Sequence, residues 1–335
     1  MIKADKKISI SVAMATYNGQ RYLFEQLMSI NNQLDLPDEI VISDDNSNDE
    51  TINIINKFKS ISTIPLKLVI NSKEKSGVIY NFLNAFKNCN SDFICYCDQD
   101  DYWEADKIST LRSLLIQNPT VKLAVHKSRS VNEKLEDLGV VQPNFKDSAL
   151  VKFPAYHDDL WGFGHQMIFS VEAVKLIEDI STKKIDLGDV STCFDLSIIV
   201  ASGMLGDILL VNQILTLFRR HGGSLTLAGK EKKSIVNNAE RNKQNVKALV
   251  DQLEALEEYI GQSGQSKAIT FNDDLYLISI RQKLTYYQQI LSLYKSKNVF
   301  QLVSKIKVND FKYKGSLFFL KQLFYVLLLA FNISK

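Results

Sequence analysis

The chain has 335 residues, 45% of them hydrophobic and 23% charged, a composition that excludes a disordered, collagen-like or disulfide-framework protein. With 40 basic residues against 38 acidic ones the net charge is only +2, so no overall field points to nucleic acid as a partner. The polar start, Met1 to Lys7, is followed by a strand-length apolar run without a cleavage-site pattern, so no signal peptide is expected.

From there the pattern alternates between two periods. Short β-branched runs at Ile8–Ala15, Glu39–Ser43, Leu66–Ile70, Phe93–Cys97 and Lys122–His126 predict strands. Helical patterns lie between and after them, over about 20–33, 49–60, 77–88 and 104–117. This alternation predicts an α/β domain with a mostly parallel, Rossmann-like sheet covered by helices on both faces. Ser47 followed by Glu50 predicts a capping box for the second helix, and Pro119 predicts the end of the fourth.

Residues 130–228 are less regular, with helices expected at Ser170–Ile180 and Phe194–Ser202. After Gly229 the texture changes to helical patterns rich in Glu, Lys, Gln and Leu over about 231–261 and 273–296. A boundary near 228 therefore divides an α/β domain, 1–228, from a helical region, 229–335. From Lys295 onward eight lysines face one acid, Asp310, so this end carries +7 against a whole-chain +2, leaving −5 on the rest. Its longest apolar run, Leu323–Phe331, is far shorter than the ~20 residues that span a bilayer. The tail predicts interfacial helices on a membrane surface, or packing on the body or on a second copy in a homo-oligomer. Four cysteines without paired metal-ligand spacing predict reduced thiols and a cytoplasmic location, peripheral to the inner face of the membrane if the tail docks.

In doubly wound sheets ligands bind beyond the carboxyl ends of the strands. Three such ends carry polar clusters: Thr16-Tyr17-Asn18-Gly19, Asp44-Asp45-Asn46-Ser47 and Asp98-Gln99-Asp100-Asp101. Clustered carboxylates suit a hard divalent ion, Mg²⁺ or Mn²⁺, that also takes phosphate oxygens. A solvated acidic turn is the alternative. Asp44 and Asp45 suit a base N–H or ribose hydroxyls, or else a helix cap. Thr16 and Tyr17 offer a hydroxyl and an aromatic face, although Asn18-Gly19 also explains a plain turn.

In their order and spacing, the segments Ser11–Gly19, Ile42–Thr51 and Cys97–Trp103 resemble family 2 glycosyltransferases with the GT-A fold, over roughly residues 8–225. The resemblance implies an inverting, metal-dependent transfer of a hexose or deoxyhexose from a nucleoside diphosphate sugar, such as a UDP- or dTDP-sugar. The acceptor would be a glycan or polyprenyl-linked glycan hydroxyl in bacterial surface-polysaccharide assembly. It places Thr16, Tyr17 and Asp45 at the nucleotide base with Asp44 beside them. Gly77 and Asn81 fall under the nucleotide, Asp98 near ribose and metal, and Asp100 on the metal. The family's general base falls on Asp195, with Asp186 and Asp189 as competitors. Phe218-Arg219-Arg220-His221 resembles the Tyr-Arg-x-His segment of rhamnosyltransferase-like members. That likeness implies Arg219 or Arg220 at the phosphates and His221 at the metal or diphosphate. Trp161, His165 and Gln166 occupy the stretch that faces donor sugar and acceptor. No Gln-x-x-Arg-Trp follows, which favours single or few additions over processive synthesis. Two other readings remain: a sugar nucleotidyltransferase, disfavoured by the single Gly and missing Lys after the first strand, and a non-catalytic glycan-binding or assembly subunit.

Overall fold

The computed structural model describes residues 7–152, 163–184 and 194–222, with isolated helical positions between 247 and 292. Trp161, the competitors Asp186 and Asp189, the boundary expected near 228 and the lysine-rich tail lie outside the described residues. The chain divides into two compact units, Met1–Asp179 with Phe194–His221, and Ile180–Cys193 with Gly222–Lys335.

The first unit is built on one ten-stranded mixed sheet. Strands β1 (Ile10–Thr16), β2 (Glu39–Asp44), β3 (Leu66–Ile70) and β4 (Phe93–Cys97) form its parallel half, in the order β3-β2-β1-β4. All four lie where the apolar runs predict them. The parallel character ends at β4. There β9 (Met167–Ser170) enters antiparallel and separates β4 from β6 (Val121–Val131). Beyond β6 lies β10 (Asp207–Arg219), parallel to β6. It carries the two-residue β5 (Tyr102–Trp103) and β8 (Ala149–Val151) antiparallel, while β7 (Asp137–Gln142) folds back on β6. The far half is mixed because β9 fills the slot beside β4 that a further parallel strand would take. No local pattern reports such a slot.

Helices cover both faces, as alternation along the strands requires. Ile10, Val12 and Met14 of β1 share a core with α1 (Leu23–Asn31), α2 (Thr51–Ile61) and α4 (Lys107–Gln117) through Leu27, Phe58 and Leu111. On the opposite face Tyr96 packs at a tilt on Phe82 and edge-on against Phe86 of α3 (Val78–Lys87), and Phe86 meets Phe169 of β9 edge-on. Helices α5 (Val171–Lys184) and α6 (Phe194–Leu205) follow, near their expected places. Cys89, Cys95 and Cys97 are free and buried.

The capping box does not form. Helix α2 starts at Thr51, and Asp49, not Ser47, accepts from its first amide at 3.0 Å. Ser47 Oγ instead accepts from the Asn18 amide at 2.9 Å and donates to Asp44 at 2.6 Å, so the loop after β1 takes the oxygen that a cap would offer to the helix amides.

In the second unit the described positions from 247 to 292 are helical. Arg281 pairs with Glu257 at 2.6 Å, and Gln288 donates to Glu254 at 2.9 Å.

Candidate active site

The parallel half delivers its strand ends to one rim. After β1, Asn18 adopts a left-handed φ of 47°, a conformation asparagine tolerates, and turns the chain into α1. Thr16 is buried. Its hydroxyl donates to Asp44 Oδ2 at 2.7 Å and its carbonyl accepts from Asn81 Nδ2 at 2.9 Å. Asp44 also receives Ser47 N–H at 2.8 Å, so both of its oxygens hold the turn after β2. Asp45 is half-buried and accepts from the Gly77 amide at 2.7 Å and Asn71 Nδ2 at 2.9 Å. Gly77 has φ 106°, a backbone state costly for any side chain, and it opens α3. The expected nucleotide residues are thus one network, and the Tyr17 ring stands out from it, 57% exposed.

The acidic cluster after β4 has two groupings. Asp98, Asp101 and His165 bring ligand atoms within 4.8 Å of one another, the one such group of three or more among the described residues. Separately, His221 Nε2 lies 2.8 Å from Asp100 Oδ2, with the His221 ring packed on Tyr22. Sequence reasoning expected Asp98, Asp100 and His221 as ligands. It missed Asp101 and the orientation of His165, although Asp101 adjoins the motif.

Asp101 is fully buried. Its Oδ1 accepts from the Arg219 amide at 3.1 Å, while Oδ2 has no hydrogen-bond partner. Burial, then the charges of Asp100 and Asp98, push this carboxyl well above the ordinary carboxylate range. An orphaned buried oxygen beside two further acids is what a bound cation would satisfy, so the residues present fit a divalent ion. His165 agrees. Burial lowers its pKa against the pull of Asp98, which favours the neutral, ligating imidazole. Its Nδ1 lies 3.6 Å from Asp98 and 4.0 Å from Asp101, and Nε2 lies 3.1 Å from Ser128 Oγ. For Nδ1 to ligate, Nε2 must carry the proton and donate to Ser128. The ring is stacked on Phe218 at 4.4 Å.

Below the cluster, Lys107 is fully buried. Its ammonium donates to Thr216 Oγ1 at 2.9 Å and to the His165 carbonyl at 3.2 Å, and sits 3.8 Å over the Trp103 ring. It ties the turn bearing His165 to β10.

Asp195, near the start of α6, completes the rim. Burial and the Asp98 charge push its carboxyl up to about 7, against a lowering hydrogen bond from the Gly164 amide. Gly164 is required there, because a Cβ would stand 2.4 Å from Tyr96 Cζ.

The other expected contacts turn inward. Gln166 is buried, donating to Ser128 Oγ at 2.6 Å and Gln142 O at 2.9 Å while accepting from Phe163 N–H at 2.7 Å. Arg219 is 2% exposed, and its guanidinium serves Asp100 O, Glu133 O and Glu25 beneath the Tyr22 ring. Arg220 is less buried and lies over Phe218 at 4.8 Å.

Residues 11–174 match the model of glycosyl transferase family 2. Over 108 residues the chain is 39% identical to the dTDP-rhamnosyl transferase RfbG of Shigella flexneri, a stretch covering 31% of this chain and 37% of that relative. It is 28% identical over 145 residues to the poly(ribitol-phosphate) beta-N-acetylglucosaminyltransferase TarS of Staphylococcus aureus, covering 42% of this chain and 24% of TarS. The matches thus span well under half of either relative. TarS 1–349 in complex with UDP-GlcNAc superimposes with a TM-score of 0.58 at 16% identity, over 97% of this chain and 91% of that one. The mannosyltransferase PcManGT of Pyrobaculum calidifontis, in complex with GDP-Man and Mn²⁺, does so with 0.52 at 13% identity, over 97% and 87%. These likenesses identify the fold as GT-A.

Proposed function

Residues 11–174 form a domain of glycosyl transferase family 2, and from that premise we propose that the chain transfers a hexosyl or deoxyhexosyl group from a nucleoside diphosphate sugar to a glycan or lipid-linked glycan hydroxyl, with inversion. The acceptor oxygen attacks the anomeric carbon as the bond to the diphosphate oxygen breaks. The electron pair leaves with the nucleoside diphosphate, and the acceptor proton passes to Asp195. One in-line displacement inverts the centre and needs no covalent intermediate. Tyr17 and Asp45 hold the nucleobase, with Thr16, Asp44, Gly77 and Asn81 supporting that loop. Arg220 meets the diphosphate. Asp98, Asp101 and His165, with Asp100 and His221 alongside, hold a divalent ion whose charge, when bound, stabilises the departing diphosphate.

The mechanism rests on where Asp195 sits: the Gly164 amide orients its carboxyl within reach of the Asp98 charge, and burial together with that charge raises it to about 7 in the absence of metal. A group with that affinity suits proton removal near neutrality, where an ordinary aspartate is a weak base. The basic tail fits a lipid-linked acceptor presented at an anionic leaflet. Among the described residues no helix is long and apolar enough to cross a membrane.

The test is a donor panel of UDP-, dTDP- and GDP-sugars with Mn²⁺, read by release of nucleoside diphosphate and by the anomeric coupling of the product. Transfer with inversion that is lost in Asp195→Asn supports the mechanism. Retention, or full transfer by Asp195→Asn, overturns it.

A further inference from the structure

The β1–β4 ladder ends at the pair Met14 and Cys97. Beyond it the two loops that carry the proposed nucleobase and metal residues share no strand rung, yet they are joined. Gln99 Oε1 accepts from the Tyr17 amide at 3.0 Å, and Gln99 Nε2 donates to the Tyr17 carbonyl at 3.1 Å. A side-chain amide thus supplies both halves of the missing rung, since it carries one acceptor and one donor in the peptide's own geometry.

The surroundings are shaped to this contact. A Cβ on Gly19 would stand 2.3 Å from Gln99 Oε1 and 2.8 Å from its Cδ, so any larger residue displaces the carboxamide. Gly19 has no room to yield: its amide donates to Thr51 Oγ1 at 2.8 Å, and its carbonyl accepts from Tyr22 and Leu23 at 3.2 and 3.1 Å. Those contacts anchor the loop behind Tyr17, while Gln99 holds the Tyr17 backbone itself.

We propose that Gln99 is a positioning residue that fixes the Tyr17 platform relative to Asp98 and Asp100, its neighbours on either side. The role rests on the nucleoside diphosphate reading above. A ligand that reaches from base to diphosphate gains from having both ends of its site set in advance, whereas an ion that touches only the acids gains nothing. A residue that merely stabilised the fold would affect both ligands alike.

The experiment is calorimetric titration of the full chain with UDP, dTDP and GDP at saturating Mn²⁺, and with Mn²⁺ alone, for wild type, Gln99→Ala, Gly19→Ala and the double variant. Gln99→Ala and Gly19→Ala should each raise Kd for the bound nucleotide about tenfold, the effect of losing two modest hydrogen bonds, while Kd for Mn²⁺ stays within about twofold. The double variant should bind no worse than Gln99→Ala, because truncating Gln99 removes the atoms that a Cβ on Gly19 would strike. Unchanged nucleotide affinity in Gln99→Ala, equal losses for Mn²⁺ and nucleotide, or additive penalties in the double variant would each overturn the role. If wild type binds none of the three nucleotides, the nucleoside diphosphate reading fails, and this role with it.

Discussion

Arg219 and Glu25 stand 194 residues apart in sequence and form an ion pair that closes the end of β10 onto the first turn of α1. The same guanidinium donates to the carbonyls of Asp100 and Glu133, so one buried side chain ties together three segments around the acidic cluster. Arg219→Met would leave two carbonyls and one carboxylate without their donor. The expected loss is about 3 kcal/mol, with a fall in Tm on the order of 10 °C. Scanning calorimetry checks this. A variant that melts with the wild type while binding nucleotide more weakly would mean that Arg219 acts on the ligand instead.

Asp195 should set the acid limb of the pH profile. Only its ionised form accepts a proton, so kcat/KM should fall about tenfold per pH unit below its pKa. Without metal that value is raised from 3.8 to about 7, and a cation beside Asp98 offsets one of the raising causes. The limb should therefore shift downward as Mn²⁺ is titrated in. Asp195→Asn should cost roughly 10²–10⁴ in rate.

The same group carries a stability signature of opposite sign. A carboxyl with a raised folded pKa binds more protons folded than unfolded between about pH 4 and 7, so its contribution to stability is lost as pH rises through that window. Metal-free Asp195→Asn should thus melt above the wild type at pH 8, and the difference should vanish near pH 4. A variant that melts lower at every pH would contradict the burial that raises this group.

Asp101 separates metal binding from folding. Asparagine keeps the acceptor for the Arg219 amide and removes a buried acid, so Asp101→Asn should fold at least as well as the wild type in chelator. Mn²⁺ should raise the wild-type Tm, since a ligand that binds only the native state stabilises it. Most of that rise should disappear in Asp98→Asn and Asp101→Asn. A full Mn²⁺ shift in both variants would move the ion away from this grouping.

Gly164→Ala should reach Asp195 indirectly. The added Cβ meets Cζ, Cε1 and Cε2 of Tyr96 within 2.7 Å, so the ring or the turn must move. Overpacking of this kind costs about 1–3 kcal/mol. It should also lower kcat more than it raises KM, because the amide that orients the base is displaced. Tyr96→Leu in the same chain should recover part of kcat by clearing the ring.

What was legible in the sequence was local. Each strand of the parallel half and each helix through α6 follows from a repeat of 2 or 3.6 residues. The three polar strand ends follow from the rule that such sheets bind ligands at their carboxyl edge. Asp195 came from the family resemblance, which expects an acid opening a late helix, and not from a local period. Gln99 was not legible, because the middle residue of an acidic triplet has no pattern of its own until its partner at Tyr17 is known. Asp101 escaped for the same reason: its burial depends on β10, more than a hundred residues later.

By itself, then, the order of residues determined which segments become strands and helices and which chemistry sits at their ends, since backbone geometry and side-chain period act over a few neighbours. Only the tertiary structure decided which of those groups meet. β9 entering antiparallel beside β4 brings His165 to Asp98, and β10 lying parallel to β6 brings Arg219 and His221 to Asp100 and Asp101. Whether an acid is a solvated turn or a buried, orphaned ligand depends on what packs over it, and that is settled by sheet order.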